Sequence, residues 1–398
     1  MITKREILEQ ATYTNLQPHV VEKDYVLGWL LAGINQHPAL SKAWVFKGGT
    51  CLKKCYFETY RFSEDLDFTL LDAAHLDPDF LHSTFSDIGT WIYENSGIEI
   101  YADRLVFDIY ENPRGVKSCQ GRIYYRGPVT AAGKQSIPKI KIDLTPDEIL
   151  VDKPVLTQVR HNYSDHPGSI SIQSYSYIEV FAEKIRALKE RTRPRDLYDV
   201  INFFRRPESH TIARQVREVL EQKCRYKNIN FPQHSDLEAY KDACASGWRE
   251  QLAHQLPALP PFDSFWEELT TFFDWLEYPE KIVPKLPKPI PLALGEVSNV
   301  NIWRMGGGTN ILDLIRFAAV NHLCVELYYK KGNGERKTYL IEPYSLRTTA
   351  DKNRLLYGVK LPTGEIRGFR TDRILKANVT EQSFRPRYMI EFIPQGPA

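Results

Sequence analysis

Apolar positions along this chain follow two periods, and the switches between them mark its elements. Residues 4–15 form a first short helical stretch. Then Val20, Val21, Tyr25, Leu27, Trp29, Leu30, Leu31 and Ile34 give a wide helical stripe that Pro18 is placed to start. Trp44-Val45-Phe46 reads as the end of a buried strand, Leu52 to Tyr56 as one or two turns of helix, and Asp65 to Leu70 as a strand of period two. Asp79 to Asn95 predicts an amphipathic helix, the stretch from Ile98 to Tyr125 is strand-rich, and Lys139 to Leu144 alternates strictly. Apolar residues at 178, 181, 182, 185 and 188 predict one buried stripe of a helix, with Lys184 off it. Pro194 breaks that helix and a new one follows. Asp196 is placed to cap it, and Leu197, Val200, Ile201 and Phe204 face the core, leaving Asp196 and Asp199 on another side. The aromatics from Phe265 to Phe273 predict core packing rather than a base-stacking platform. The charges of Glu22-Lys23-Asp24, on an otherwise apolar helix, are expected to face solvent.

Composition then changes. Residues 279–292 hold five prolines, which predicts an extended, semi-rigid linker and the main domain boundary. Past it come a short helix, Ile311 to Asn321, and strand-like runs at Cys324 to Lys330, Lys337 to Glu342, Leu355 to Leu361 and Ile366 to Phe369. This is a small antiparallel domain of roughly SH3-barrel size. The layout is 1–174 as a core, 175–278 as a helical subdomain, 279–299 as the linker and 300–398 as the β domain.

At 398 residues, 42% apolar and 26% charged, the chain has the composition of an ordinary soluble protein of two or three domains. No apolar run approaches the roughly 18 residues of a membrane span, and MITKREILEQ lacks a signal-peptide core, so a cytoplasmic protein is expected. Six cysteines show no metal spacing and are read as reduced thiols. The net charge of +2 hides an asymmetry: residues 280–398 carry 19 Lys/Arg against 11 Asp/Glu, and the remainder 33 against 39. A basic C-terminal third suggests a polyanionic partner.

The candidate chemistry concentrates in VFKGGTCLKKCYFETYRFSEDLDFTL, residues 45–70. Gly48-Gly49-Thr50 lets the backbone approach a phosphate group closely and aim its N–H groups at one point. Alternation sets Asp65, Asp67 and Thr69 on one face of a strand, a ready seat for Mg²⁺. In Lys139-Ile140-Lys141-Ile142-Asp143-Leu144, alternation puts Asp143 with its two lysines on one face, either as a third carboxylate for a two-ion site or as a surface residue neutralised by those lysines.

FKGGTCL followed by RFSEDLDF resembles the nucleotidyltransferase signature of the DNA polymerase β superfamily, and within it the AbiEii/AbiGii toxin group. The spacing from the glycines to the D-x-D is longer than the superfamily's usual one. E-K-D-Y (22–25) and A-E-K-I-x-A-L…R-D-L-Y-D (182–199) resemble further blocks of that group. The resemblance implies an α/β (α+β) nucleotidyltransferase fold with an appended helical subdomain. It implies an NTP substrate, two Mg²⁺ ions, RNA or tRNA as acceptor, and a cognate antitoxin. It adds Lys47, Arg61 and Ser63 to the nucleotide site, gives Lys184 the triphosphate, and assigns an essential aspartate to Asp196 or Asp199. IEPYSLRTTADKNRLLYGVKL and IRGFRTDRI resemble a WYL domain, with Leu355 where that family carries Trp. Arg347, Arg354, Arg367, Arg370 and Arg373 are the candidate phosphate-binding patch there, with Tyr357 and Phe369 for stacking. The rival readings are a WYL-type regulator with a spent transferase site, and NMP transfer to a protein or small molecule.

Overall fold

A computed structural model describes residues 1–57, 61–130, 137–165, 168–279, 287–291, 296–299, 311–349, 351 and 353–392. The chain forms two compact units. The first holds Met1–Ala187 with 215–232 and 254–256. The second holds Leu188–Arg214, Gln233–Ala253 and Pro257–Ala398.

In chain order the first unit contains α1 (Lys4–Thr14), α2 (Pro18–Gln36), α3 (Leu40–Ala43), β1 (Trp44–Lys47), α4 (Gly48–Cys51), β2 (Asp65–Leu70) and α5 (Pro78–Ser96). After these come β3 (Glu99–Ile100), β4 (Val106–Glu111), β5 (Lys117–Arg126), β6 (Lys139–Thr145), β7 (Val155–Val159) and β8 (Ile170–Ser174). Helix α6 (Tyr177–Arg191) crosses into the second unit, to which α7 (Pro194–Phe204) belongs, and most of α8 (Ala213–Lys227) returns to the first. The eight strands make one sheet, ordered β3-β5-β6-β2-β1-β8-β7, with β4 also on β5. β2 runs parallel to β6 and β1 parallel to β8, while the other pairs are antiparallel.

Alternation explains the layering. Trp44, Phe46, Leu66, Phe68, Ile140, Ile142 and Leu144 are all buried on one face. There Phe85 of α5 packs 6.1 Å from the Trp44 ring and 5.3 Å from Phe107 of β4. Helix ends follow local chemistry: Thr3 and Asp77 cap α1 and α5 through their side chains, and Gly97, at φ 74°, closes α5.

The Glu22-Lys23-Asp24-Tyr25 segment departs from its solvent-facing expectation. Glu22 and Asp24 are buried. Glu22 accepts from the Val129 and Thr130 N–H groups, Lys23 pairs with Glu64 at 2.5 Å, Asp24 pairs with buried Lys54 at 2.8 Å, and the Tyr25 hydroxyl donates to Asp165. Each charge on this apolar helix has a partner supplied by a distant segment, so the motif fixes α2 rather than solvating it.

The second unit adds α9 (Ser235–Glu238), α10 (Lys241–Leu252), α11 (Asp263–Trp266), α12 (Glu268–Glu277), β9 (Glu296–Asn299), α13 (Ile311–Val320), β10 (Leu323–Lys330), β11 (Arg336–Thr349), β12 (Arg354–Leu361), β13 (Ile366–Arg370) and β14 (Ile374–Ser383). Phe265, Trp266, Phe272 and Phe273 are core residues as expected, with Phe265 stacked on Tyr198 at 5.2 Å. The Tyr198 hydroxyl donates to Asn321 just past α13, at 2.8 Å. The six strands run in the order β13-β12-β11-β10-β14, with β9 on β11. Among the described residues this antiparallel sheet is open, with β13 and β14 at its edges, rather than a closed SH3-like barrel. β14 is absent from the sequence expectation because ILKANVTEQS carries no strict alternation. About half of the 279–299 stretch expected to be a linker lies outside the described residues, and its last four residues form β9, paired with β11, rather than linker.

Candidate active site

The helix that follows β1 starts at Gly48, earlier than its Leu52 expectation, and continues as a π-helical turn over Leu52–Tyr56. Gly48 therefore lies in the first turn, at φ 78°. A Cβ built there would sit 2.0 Å from Asp67 Oδ2. Only glycine lets the turn close onto that carboxylate. Gly49 is covered by Arg61 and Ser63, whose Nη2 and Oγ would lie 2.8 and 3.0 Å from an added Cβ. The buried Arg61 guanidinium also donates to Gln255 at 3.0 Å. The Thr50 hydroxyl donates to the Asp65 carbonyl at 2.5 Å, tying the turn to the acidic strand.

Register sets the acidic residues in one row. Lys47 pairs with Asp67, Asp67 with Asp143, and Asp143 with Gln120, across β1, β2, β6 and β5. Registered partners share a face, so the row projects from the polar side of the sheet. Asp65 lies one step along, opposite Lys141. Burial, then the charges of Asp67 and Asp65, push the Asp143 carboxyl up to about 6, against weaker relief from Lys141 and Gln120. Asp143 thus feels the charges of Asp67 and Asp65, a repulsion that a divalent cation relieves. Their hard oxygen donors fit Mg²⁺. Among the described residues no three such side chains are already closed into a metal-binding cluster.

Lys184 is buried rather than on the surface. Its position shows at Cys51: burial, Cys55 and Asp67 push that thiol well up, while Lys184 pulls it down. Lys184 and Asp67 therefore both act on the first turn of the glycine helix. Lys47 is buried too, 3.5 Å from Glu148 and 5.7 Å from the Tyr175 ring.

Sequence reasoning missed what surrounds it. Glu148 also meets Arg186 at 3.3 Å and Lys227 at 3.4 Å. Lys223 of α8 joins Glu179 and Glu183 of α6 at 2.6 and 3.4 Å. The only signal was charge itself: Asp147-Glu148 directly after β6, and lysines four apart at 223 and 227.

Asp196 and Asp199 belong to the second unit and are buried, contrary to their expected placement away from the core. The residue preceding α7 is Arg193, with Pro194 at its first position, so Asp196 is not the cap. It lies in the first turn and accepts two bonds from Arg191, at 2.7 and 2.9 Å.

The expected patch of the β domain divides. Arg347 is buried against Ser345 and Glu391. Tyr357 and Phe369 are core residues, so neither ring offers a face for stacking. Arg367 lies over Tyr339 and Phe369 at 4.9 and 5.3 Å, and Arg370 pairs with Asp372 at 2.8 Å. Arg354, Arg367, Arg370 and Arg373 are half-buried.

Residues 29–269, more than half of the chain, match the family described as "Nucleotidyl transferase AbiEii toxin, Type IV TA system". The chain belongs to the AbiEii nucleotidyltransferase toxin family. It is therefore a nucleotidyltransferase, and membership implies an NTP substrate and an antitoxin partner. Residues 310–379 of this AbiEii chain match the WYL domain. Among solved structures it is similar to MenT4, a nucleotidyltransferase toxin from Mycobacterium tuberculosis H37Rv, with 17% identity, 70% of this chain and 90% of that one covered, and a TM-score of 0.48. It is also similar to Proteasome accessory factor B/C (PafBC) of Arthrobacter aurescens, with 18% identity, 27% and 15% covered, and a TM-score of 0.18. No curated protein matches it. No helix among the described residues is long and apolar enough to cross a membrane.

Proposed function

We propose that this AbiEii-family enzyme moves a nucleoside monophosphate from an NTP to a hydroxyl of RNA, tRNA in particular, and thereby arrests growth as the toxin of a toxin–antitoxin or phage-defence pair in the cytoplasm. The observation that carries the reading is the carboxylate row: Asp143 is pushed up to about 6 by burial, Asp67 and Asp65, beside a glycine turn that closes on Asp67. In this reading Asp65 and Asp67 hold Mg²⁺ and Asp143 completes a two-ion site. Bound there, the ions neutralise charge on the triphosphate and on the attacking oxygen.

Gly48, Gly49 and Thr50 cradle the triphosphate, Arg61 and Ser63 close over that turn, and Lys47 and Lys184 neutralise its charge. The acceptor oxygen bonds to the α-phosphorus, the bond from that phosphorus to the β-bridging oxygen breaks, pyrophosphate leaves and the hydroxyl proton passes to solvent. Catalysis is positioning and charge neutralisation rather than covalent chemistry. Asp196 or Asp199 keeps the essential role that the family resemblance implies. The layout of 1–174, 175–278, 279–299 and 300–398 is part of the same reading, with the WYL match in its last segment.

The test is incubation of the protein with each labelled NTP, Mg²⁺ and total RNA. Label on tRNA that vanishes with Asp65→Ala is the expected result. Label on a protein or small molecule would replace the acceptor class. No label anywhere, beside tight oligonucleotide binding, would replace the enzyme with a regulator whose transferase site is spent.

A further inference from the structure

The sheet face that bears the carboxylates does not stop at Asp143. Register carries the same row on to Gln120 of β5 and Asp108 of β4. The next row pairs Lys141 with Arg122, and the one beyond pairs Lys139 with Tyr124. The opposite face is closed: Ile140, Ile142, Cys119, Ile123 and Tyr125 are buried. The polar face stays open, with Lys141 and Gln120 exposed and Lys139, Arg122 and Tyr124 half-buried.

We propose that this open face of β4, β5 and β6 seats the acceptor, a single-stranded polynucleotide whose end reaches Asp143 across these strands. The proposal rests on NMP transfer to a polynucleotide and adds the surface that would receive it.

Three observations favour that occupant. First, an aromatic ring lies among cations: the Lys139 ammonium is 5.7 Å from the Tyr124 ring, and Lys141 is near enough to act on Asp143. A base stacks on such a ring while the ammonium groups meet its phosphates. Arg122 is partly committed to Asp108, at 2.7 Å, so the two lysines carry most of the free charge. Second, Tyr110 on β4 is 43% exposed, on the same face and one row to the other side of Asp143. Rings thus lie on this face to either side of the row that holds Asp143. Third, the face is walled at one end. Beyond Thr145 the tip of the β4–β5 hairpin joins α8: Asn112 donates to Asp147 at 2.7 Å, the Tyr226 hydroxyl donates to the same carboxylate at 3.1 Å, and Arg114 lies 4.4 Å over the Tyr226 ring. From Lys139 to Asp143 is about 13 Å of strand, and a wall just past Asp143 suits the end of a chain rather than its middle.

The experiment measures binding of a fluorescein-labelled single-stranded RNA to the full chain by anisotropy, with NTP binding by thermal shift as the control for intact folding. Lys141→Glu is expected to weaken RNA at least tenfold and to lower the log–log salt slope by about 0.7. Tyr124→Ala is expected to weaken it about tenfold, with the salt slope unchanged. RNA affinity equal to wild type in both variants overturns the proposal, and so does a wild type that binds no RNA, including one that labels only protein. The parent reading is scored separately by transfer of label. Variants that lose RNA binding, beside a wild type that labels nothing, would sink the transfer reading and leave this surface standing. Equal labelling of RNA by wild type and both variants, at equal KM for RNA, would do the reverse.

Discussion

Gly48 has no room for a side chain, because its own φ is positive and Asp67 occupies the space a methyl would need. Gly48→Ala should therefore cost about 1–2 kcal/mol in backbone strain alone, and displace Asp67 as well. Denaturant titration reads the first effect and the labelling assay the second, with a loss of activity on the order of 10²-fold or more. Asp143 makes a prediction in pH. Because its folded pKa lies above the ordinary carboxyl value, the group is neutral below about pH 6 and charged above it. Its contribution to stability is fully present below the ordinary value and is lost as pH rises through about 6. Asp143→Asn should therefore raise the melting temperature of the metal-free protein above pH 6 and leave it unchanged near pH 3. A carboxyl NMR titration should place the wild-type midpoint near 6 and shift it down in Asp67→Asn. Unshifted midpoints in that variant would separate the two side chains and remove the basis of the ion site. Asp143 was legible in the sequence because K-I-D-L alternates, and alternation survives into the register. Lys54 and Asp24 were not: each reads locally as a surface charge, and only a contact thirty residues away makes a buried pair of them.

At the scale of elements, α6 and α8 are joined by ionic groups rather than by apolar surface alone. Lys223 is buried, and its ammonium lies 4.8 Å from the Tyr175 ring between Glu179 and Glu183. Arg186, Lys223 and Lys47 hold Glu183 well below the usual carboxylate range against the cost of burial. Stability of that origin is fully present above the ordinary Glu value and is lost as pH falls below it and through the depressed folded value. Lys223→Met leaves two buried carboxylates short of a partner and should cost about 3–5 kcal/mol at neutral pH. Urea titrations carried from neutral pH to below the ordinary Glu value should show wild-type stability falling more steeply than the variant's there. Equal slopes would mean that Lys223 does not set the ionisation of Glu183. The helix stripe at 178, 181, 182, 185 and 188 predicted one buried side of α6. Charge pairs bury much of the other, and hydrophobic period does not register those.

For the whole molecule, the proline-rich stretch reads as a boundary, yet one compact unit includes chain on both sides of it. Within that unit Tyr198 bonds to Asn321, and burial and Arg205 together hold His322 well below its usual pKa. A chain ended at residue 278 would leave the Tyr198 hydroxyl without its acceptor, at about 1–3 kcal/mol, and should melt below the full-length protein by calorimetry. Equal melting would mean that the two stretches do not stabilise one another. Linker composition was legible; long-range burial was not, since it depends on which distant face a residue meets. The hydroxyl bridge from Thr50 to the Asp65 carbonyl, with the β1–β2 pairing behind it, has a further consequence. The two halves of the motif are stapled across space, so the number of amino acids between the turn that ends at Tyr56 and Arg61 can drift without parting them. Insertions there should be tolerated in evolution, and a search pattern that fixes this gap will overlook kin that one based on strand pairing would find.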